Sequence, residues 1–235
     1  MPETWHFLQS PAADAALNMA VDEALLLTAA ERGRPLLRVY SWLRPSVSVG
    51  YVQKFPAHLA DKQEIVRRST GGGLVYHGSG VDTTYTVVVP PDHRLCTMST
   101  TDAYCAIHKA VATALEHGVV VGRVPSRGVA PVPDSRAEDR GPTTADRSYE
   151  CFQNPVYGDV VVEDKKLAGA AQRRTKRGML HQGSIAARVM AEELKRGFSE
   201  TLGVTFGDYQ LSTAEHALAE SLAGEKYTTD AWNRR

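Results

Sequence analysis

The amino-acid sequence predicts an α+β fold, and three observations carry that reading. Helical segments are interspersed with runs of strands, not alternated one for one with single strands as in a doubly wound parallel sheet. Several strand segments follow one another through short turns, the habit of antiparallel pairing. The 235 residues are 43% hydrophobic, enough for one sizeable core and at most a small appendage.

The elements follow in order. Ser10-Pro11 offers a helix N-cap with proline in the first turn. Leu17, Val21, Ala24, Leu25 and Thr28 recur behind it at helical spacing, and Gly33 and Pro35 end that helix. Residues 36–40 and 46–51 read as short strands around an Arg44-Pro45 turn. Residues 64–68 form another strand, and residues 83–89 alternate, are rich in β-branched side chains and stop at Pro90-Pro91. A helix is expected over residues 99–117, with Tyr104, Ile107, His108, Val111 and Leu115 on its apolar face, and residues 119–124 are β-like. Residues 126–149 are rich in Pro, Asp, Arg, Gly and Thr and carry no periodicity, so they are expected to form a mobile insertion within one domain spanning residues 1–235. Residues 159–162, 166–171 and 179–186 read as strands, and 189–202 and 214–227 as helices.

Composition narrows the function. Lys+Arg and Asp+Glu both number 27, so the net charge is zero, which argues against nucleic-acid or anionic-membrane partners that need a basic excess. No apolar stretch approaches the roughly 20 residues of a membrane span, and the first ten residues lack the basic-then-apolar pattern of a secretory signal. Cys96, Cys105 and Cys151 are too few and odd in number for a disulfide framework, so a reducing cytoplasm is expected. Scattered histidines and the lack of a Cys-x-x-Cys pair give no metal motif, and no Gly-x-Ser-x-Gly elbow is present.

Three segments carry chemistry. In Arg67-Arg68-Ser69-Thr70-Gly71-Gly72-Gly73-Leu74-Val75-Tyr76-His77 the glycines either make a tight turn or leave backbone N–H groups open to an anion. Arg67 and Arg68 point to opposite faces of a strand, so one of them is expected to reach the site. His77, a lone histidine, is read as structural unless the loop recruits it. In Asp159-Val160-Val161-Val162-Glu163-Asp164-Lys165-Lys166-Leu167-Ala168-Gly169-Ala170-Ala171-Gln172, a Glu163-Asp164 hairpin turn precedes the lysines, and alternation sends one of them outward and one inward. Lys166 shares parity with Ala168 and Ala170 and is expected to face a cleft floored by small residues. The third segment, Met179-Leu180-His181-Gln182-Gly183-Ser184-Ile185, is by itself only a strand with polar interruptions.

Taken with Asn18-Met19-Ala20-Val21-Asp22-Glu23-Ala24, these segments resemble the four signature stretches of the lipoate–protein ligase A and cysteine-dependent octanoyltransferase family. Lys226-Tyr227 and Trp232-Asn233 are similar to the end of its catalytic domain. The resemblance implies a central mixed β-sheet flanked by helices, as in biotin–protein ligases. It implies an enzyme of protein lipoylation that joins a lipoyl or octanoyl group to one lysine of a lipoyl-carrier protein. Lys166 then stands as the family's lysine at the acyl carboxyl. Arg68, Gly71, Gly72, Gly73 and His77 on the glycine loop, and Gly169, Ala170, Gln182 and Gly183 on the strands, line the site. Two chemistries are open. An ATP- and Mg2+-dependent ligase makes an acyl-adenylate from free lipoate or octanoate, and Gly73 favours this reading because many octanoyltransferases carry a bulkier third residue. A transferase takes octanoate from acyl carrier protein through a thioester on Cys151, which lies fifteen positions before Lys166, the register of that nucleophile. The glycine triplet tips the expectation to the ligase. Because the resemblance to the catalytic domain runs out near Trp232, a ligase here is expected either to need a separate accessory chain or to work without a closing domain. Biotin ligation and a non-catalytic lipoyl-domain-binding module are the remaining alternatives.

Overall fold

The computed structural model describes residues 2–78, 82–118, 157–162 and 165–235. Cys151, the β-like residues 119–124 and the expected insertion at 126–149 lie outside them. The elements are β1 (Glu3–Gln9), α1 (Ala15–Leu27), α2 (Ala29–Arg32), β2 (Leu36–Tyr40), β3 (Ser46–Val49), β4 (Glu64–Arg67), β5 (Val75–His77), β6 (Thr83–Val89), α3 (Arg94–Thr97), α4 (Thr100–Gly118), β7 (Val160–Val162), β8 (Lys165–Thr175), β9 (Gly178–Ile185), α5 (Ala191–Leu202), β10 (Val204–Asp208), α6 (Thr213–Leu222) and α7 (Asp230–Asn233).

A seven-stranded sheet runs β10-β1-β2-β6-β9-β8-β7. β1 pairs in parallel with β10 and β2, and the rest of the sheet is antiparallel, so it is mixed, as expected. β6 lies at its centre and is buried on both faces. Tyr85, Val87 and Val89 pack with Ile107 and Val111 of α4 and Phe198 of α5. Val88 packs on the other face with Val21, Ala24 and Leu25 of α1 and Ala219 of α6. The helices therefore form a layer on each face.

A second sheet, β4-β3-β5, was not anticipated. β3 pairs in parallel with β4 and antiparallel with β5. Val66 joins Met19, Ala20, Tyr40 and Trp42 in a separate core cluster that seats this sheet against α1.

Sequence and structure part company at α1. Its N-cap is Asp14, whose Oδ1 accepts from the Leu17 amide at 2.7 Å, and not Ser10. Ser10 accepts instead from Arg38 Nε at 2.9 Å, because β1 continues to Gln9 and the chain must still clear the sheet edge before it can coil. α1 also buries polar groups. Asp22 accepts from Arg38 Nη1 (2.7 Å), Tyr40 (2.9 Å), Thr86 (2.8 Å) and Gln182 Nε2 (2.7 Å), an ion pair with both side chains almost fully enclosed. Such a pair persists only with its remaining lone pairs satisfied, as they are here. The helix expected over 214–227 begins at the Ser212–Glu215 capping box but gives way to a π-helical turn, Ala223–Tyr227.

Candidate functional site

A pocket of about 380 Å³, counted to its open mouth, lies between the two sheets. Met19, Tyr40, Trp42 and Val75 supply its apolar side, Gly169, Ala170 and Ala171 with Gln182, Gly183 and Ser184 one wall, and Ser48, Arg68, Gly72 and His77 the other. Seven of the expected site residues line it, Arg68, Gly72, His77, Gly169, Ala170, Gln182 and Gly183, whereas Gly71, Gly73 and Lys166 stand outside the lining itself.

The glycine loop is built by Arg68. Its Nη2 donates to the carbonyls of Gly71 (2.9 Å) and Gly73 (2.8 Å), and Nη1 donates to the carbonyl and hydroxyl of Ser48 (2.7 Å each). Gly72 adopts φ +85, a conformation that side chains resist. Gly50 packs so closely against it that a Cβ there would stand 1.9 Å from the Gly72 carbonyl oxygen. Arg68 thus faces the pocket, as alternation required, and shapes the loop as well as charging it. Arg67 points the other way and donates to carbonyls of Gly50, Gln53, Asn233 and Arg235.

His77 stacks on Trp42 with ring centroids 4.0 Å apart, and its Nε2 lies 2.6 Å from the Ser48 hydroxyl. Burial holds its pKa down to about 4, so at neutral pH it is an uncharged imidazole that shares a hydrogen bond with the Ser48 hydroxyl. Gln182 is fixed at both ends: it accepts from Thr70 (2.7 Å) and donates to Asp22 (2.7 Å). Asp22 on α1 therefore sets the amide that faces the pocket. Gly183 is required because the Tyr85 ring lies across it, 2.2 Å from any added Cβ.

Lys166 reaches the site by a route that alternation did not foresee. Lys165 is exposed and Lys166 buried, as expected. The register between β7 and β8 shifts, however: Val160 pairs with Ala168 and Val161 with Lys166. The extra residue reverses parity, so Lys166 shares a face with Gly169 and not with Ala168 and Ala170. Its stem crosses the bare Cα of Gly169, where a Cβ would meet Cε at 2.3 Å and Nζ at 2.7 Å. The ammonium pairs with Asp159 Oδ2 at 2.8 Å, with side-chain exposures of 3% and 0%. Asp159 opens the strand expected over residues 159–162 and has no expected role in the site. Gly169 lines the pocket, so the ammonium sits at the edge of that wall.

The cysteines within the described residues do not line the pocket. Cys96 and Cys105 are half-buried, and burial raises both thiol pKa values. No described helix is long and apolar enough to cross a membrane.

Residues 14–204 match the lipoyl protein ligase A/B catalytic domain. Octanoyltransferase LipM of Halalkalibacterium halodurans is 31% identical over 99% of this chain and 99% of its own length. The LipM of Geobacillus kaustophilus is 31% identical over 98% of each chain, and that of Staphylococcus aureus 29% over 99% of each. Among solved structures, a putative lipoate protein ligase from T. acidophilum with bound lipoic acid superposes with a TM-score of 0.72 at 25% identity, covering 100% of this chain and 99% of the other. Lipoate-protein ligase A bound with ATP shares the fold at a TM-score of 0.72 and 24% identity, over 100% of this chain and 99% of the other. The chain belongs to the lipoyl protein ligase A/B catalytic-domain family.

Proposed function

We propose that this enzyme moves an octanoyl group from acyl carrier protein to a lysine of a lipoyl-carrier protein through a thioester on Cys151. One structural observation carries the reading: a pocket with an apolar end and a small-residue wall, with the Lys166 ammonium at the edge of that wall. An eight-carbon chain suits Met19, Tyr40, Trp42 and Val75, and its carbonyl then lies near Gly72 and Gly169. The choice of transferase is supported by the LipM relatives and by the register of Cys151 fifteen residues before Lys166.

The chemistry has two halves. The Cys151 thiol gives up its proton and its sulfur attacks the donor thioester carbonyl; the carbon–sulfur bond to the carrier breaks, and the departing carrier thiolate takes up that proton. The acceptor amine then attacks the Cys151 thioester, forms the amide, and releases the Cys151 thiol. In each half negative charge grows on the carbonyl oxygen. Lys166 and backbone N–H groups stabilise it by electrostatic preorganisation. Uncharged His77 is suited to hold the loop without adding a competing cation.

A second reading is ATP-dependent ligation of free lipoate or octanoate. Gly73 and the T. acidophilum neighbour with lipoic acid favour it. Gly71 has open space where a Cβ would stand, so a phosphate has room to approach the backbone there. In that case ATP with Mg2+ would supply the activation, and the glycine loop would hold the nucleotide.

Donor dependence separates the readings. Octanoyl-acyl carrier protein without ATP is expected to acylate a lipoyl domain, and Lys166→Ala is expected to lower the rate at least about 100-fold. Turnover only with free acid plus ATP selects the ligase. Unchanged turnover in Lys166→Ala refutes the role given to that lysine.

A further inference from the structure

A lysine is a poor fixed charge unless something sets its bearing, because its stem has four rotatable bonds. Here the bearing is set from α4, an element that contributes no residue to the pocket lining. Asp159 Oδ2 holds Lys166 Nζ at 2.8 Å, and Asp159 Oδ1 accepts from the Tyr104 hydroxyl at 2.5 Å. With both oxygens engaged, the carboxylate cannot turn without breaking a bond. The same hydroxyl accepts from the Ala170 amide at 3.0 Å. β7 pairs with β8 only as far as Ala168, so the Ala170 N–H projects past the end of its neighbour strand. Tyr104 takes the place of the missing strand carbonyl. The tyrosine ring is itself held by His108, centroids 4.1 Å apart, and His181 at 5.6 Å.

We propose that Tyr104 is a positioning residue for acyl transfer, fixing the Lys166 ammonium through Asp159 and tying it to the pocket wall at Gly169–Ala170. The proposal rests on the role given to Lys166 above. Stability alone is a weak reason for the arrangement, since a buried ion pair often does no better than an apolar pair of equal volume. Three features converge on the direction of the ammonium instead: the register shift that turns Lys166 onto the Gly169 face, the missing Cβ of Gly169 that lets the stem cross, and the two-sided grip on Asp159. A displacement of about 1 Å in such a group lowers rates by roughly two orders of magnitude.

The test uses the full chain with whichever acyl donor the wild-type protein turns over. Tyr104→Phe keeps the ring and removes the hydroxyl. Its kcat is expected to fall roughly 10- to 100-fold, with KM for the donor within about twofold. Asp159→Asn carries the same expectation and serves if Tyr104→Phe folds poorly. A second readout is the 1H–15N resonance of the lysine ammonium that disappears in Lys166→Ala. In Tyr104→Phe it is expected to broaden or exchange faster with water, which a merely structural tyrosine would not cause. Wild-type kcat and an unchanged ammonium resonance in Tyr104→Phe overturn the proposal while leaving Lys166 in its role. A rise in KM at constant kcat also overturns it. Full turnover in Lys166→Ala removes the underlying reading instead.

Discussion

Gly169 shows how little of a side chain is needed to set a site. A methyl group there stands 2.3 Å from Lys166 Cε, the far part of a flexible stem, so the stem moves and the backbone does not. Gly169→Ala is therefore expected to keep the fold, with Tm lowered by no more than a few degrees, while the transfer rate falls at least about tenfold. Thermal melting together with steady-state rates checks this, and a wild-type rate would mean that Lys166 works equally well elsewhere. At this scale the sequence was informative about residue identity and weak about direction. Lys166, Arg68 and Gly72 were legible because unusual residue types cluster in short stretches, whereas His77, Gln182 and Gly183 came only with the family resemblance. The orientation of Lys166 was not legible, because alternation assumes an unbroken ladder and one extra residue reverses it. Asp159 and Tyr104 were not legible as a pair, since 55 residues separate them and nothing in either segment points to the other.

Arg67 does for an element what Gly169 does for a residue. Its backbone N–H donates to Asn233 Oδ1 at 2.9 Å, its carbonyl accepts from Trp232 Nε1 at 2.9 Å, and its guanidinium donates to carbonyls on both sides. One side is the loop after β3 and the other is the end of the chain. Glu23 on α1 ties the same end by accepting from Lys226 (2.6 Å) and Tyr227 (2.7 Å). Arg67→Ala leaves several buried carbonyls without donors and is expected to destabilise by about 3 kcal/mol or more. It is also expected to expose residues 226–235 to proteolysis and to weaken transfer through the adjoining Arg68 loop. Arg67→Lys should not rescue it, because one ammonium cannot span carbonyls on both sides. Limited digestion with a denaturation curve tests this; wild-type resistance in Arg67→Ala would contradict it. β2 and β6 matched their sequence expectations to the residue, because each is a compact apolar run with turn residues at both ends. β1 and β10 were not anticipated: Glu3–Gln9 and Val204–Asp208 pair in parallel across about 200 positions, and neither has a hairpin partner nearby to announce it.

Across the described residues the molecule encloses three uncharged imidazoles, His77, His108 and His181. Burial holds the first two down to about 4 from an ordinary 6.5 and pushes His181 well below that ordinary value. Between about pH 6.5 and pH 4 the unfolded chain binds protons at these positions while the native protein does not. Stability therefore rises with pH across this window and is lost as pH falls through it. His77 and His108 each account for roughly 3 kcal/mol of that loss by its acid end. The urea midpoint is expected to be level above about pH 7, to fall steeply below about pH 6, and to fall less steeply in His108→Gln. A midpoint that stays level down to about pH 4.5 would contradict the buried, uncharged assignment.

At the same scale, the mixed sheet flanked by helices was legible from the family resemblance; β3 and β4 were legible as strands, but their separate sheet was not, because β5 is only three residues long and strand pattern does not say which sheet a strand joins. That small sheet carries Ser48, Arg68 and His77 to one wall of the pocket, and the large sheet carries Gly169 and Gln182 to the other. An acyl chain held between them is proposed to pass through Cys151. The most direct measurement is the intact mass of the protein after incubation with octanoyl-acyl carrier protein, without ATP and without acceptor. One octanoyl adduct is predicted, located on Cys151 by peptide mapping, absent in Cys151→Ser, and discharged when a lipoyl domain is added. An unmodified protein that still acylates the lipoyl domain, or a Cys151→Ser variant with full activity, would contradict it.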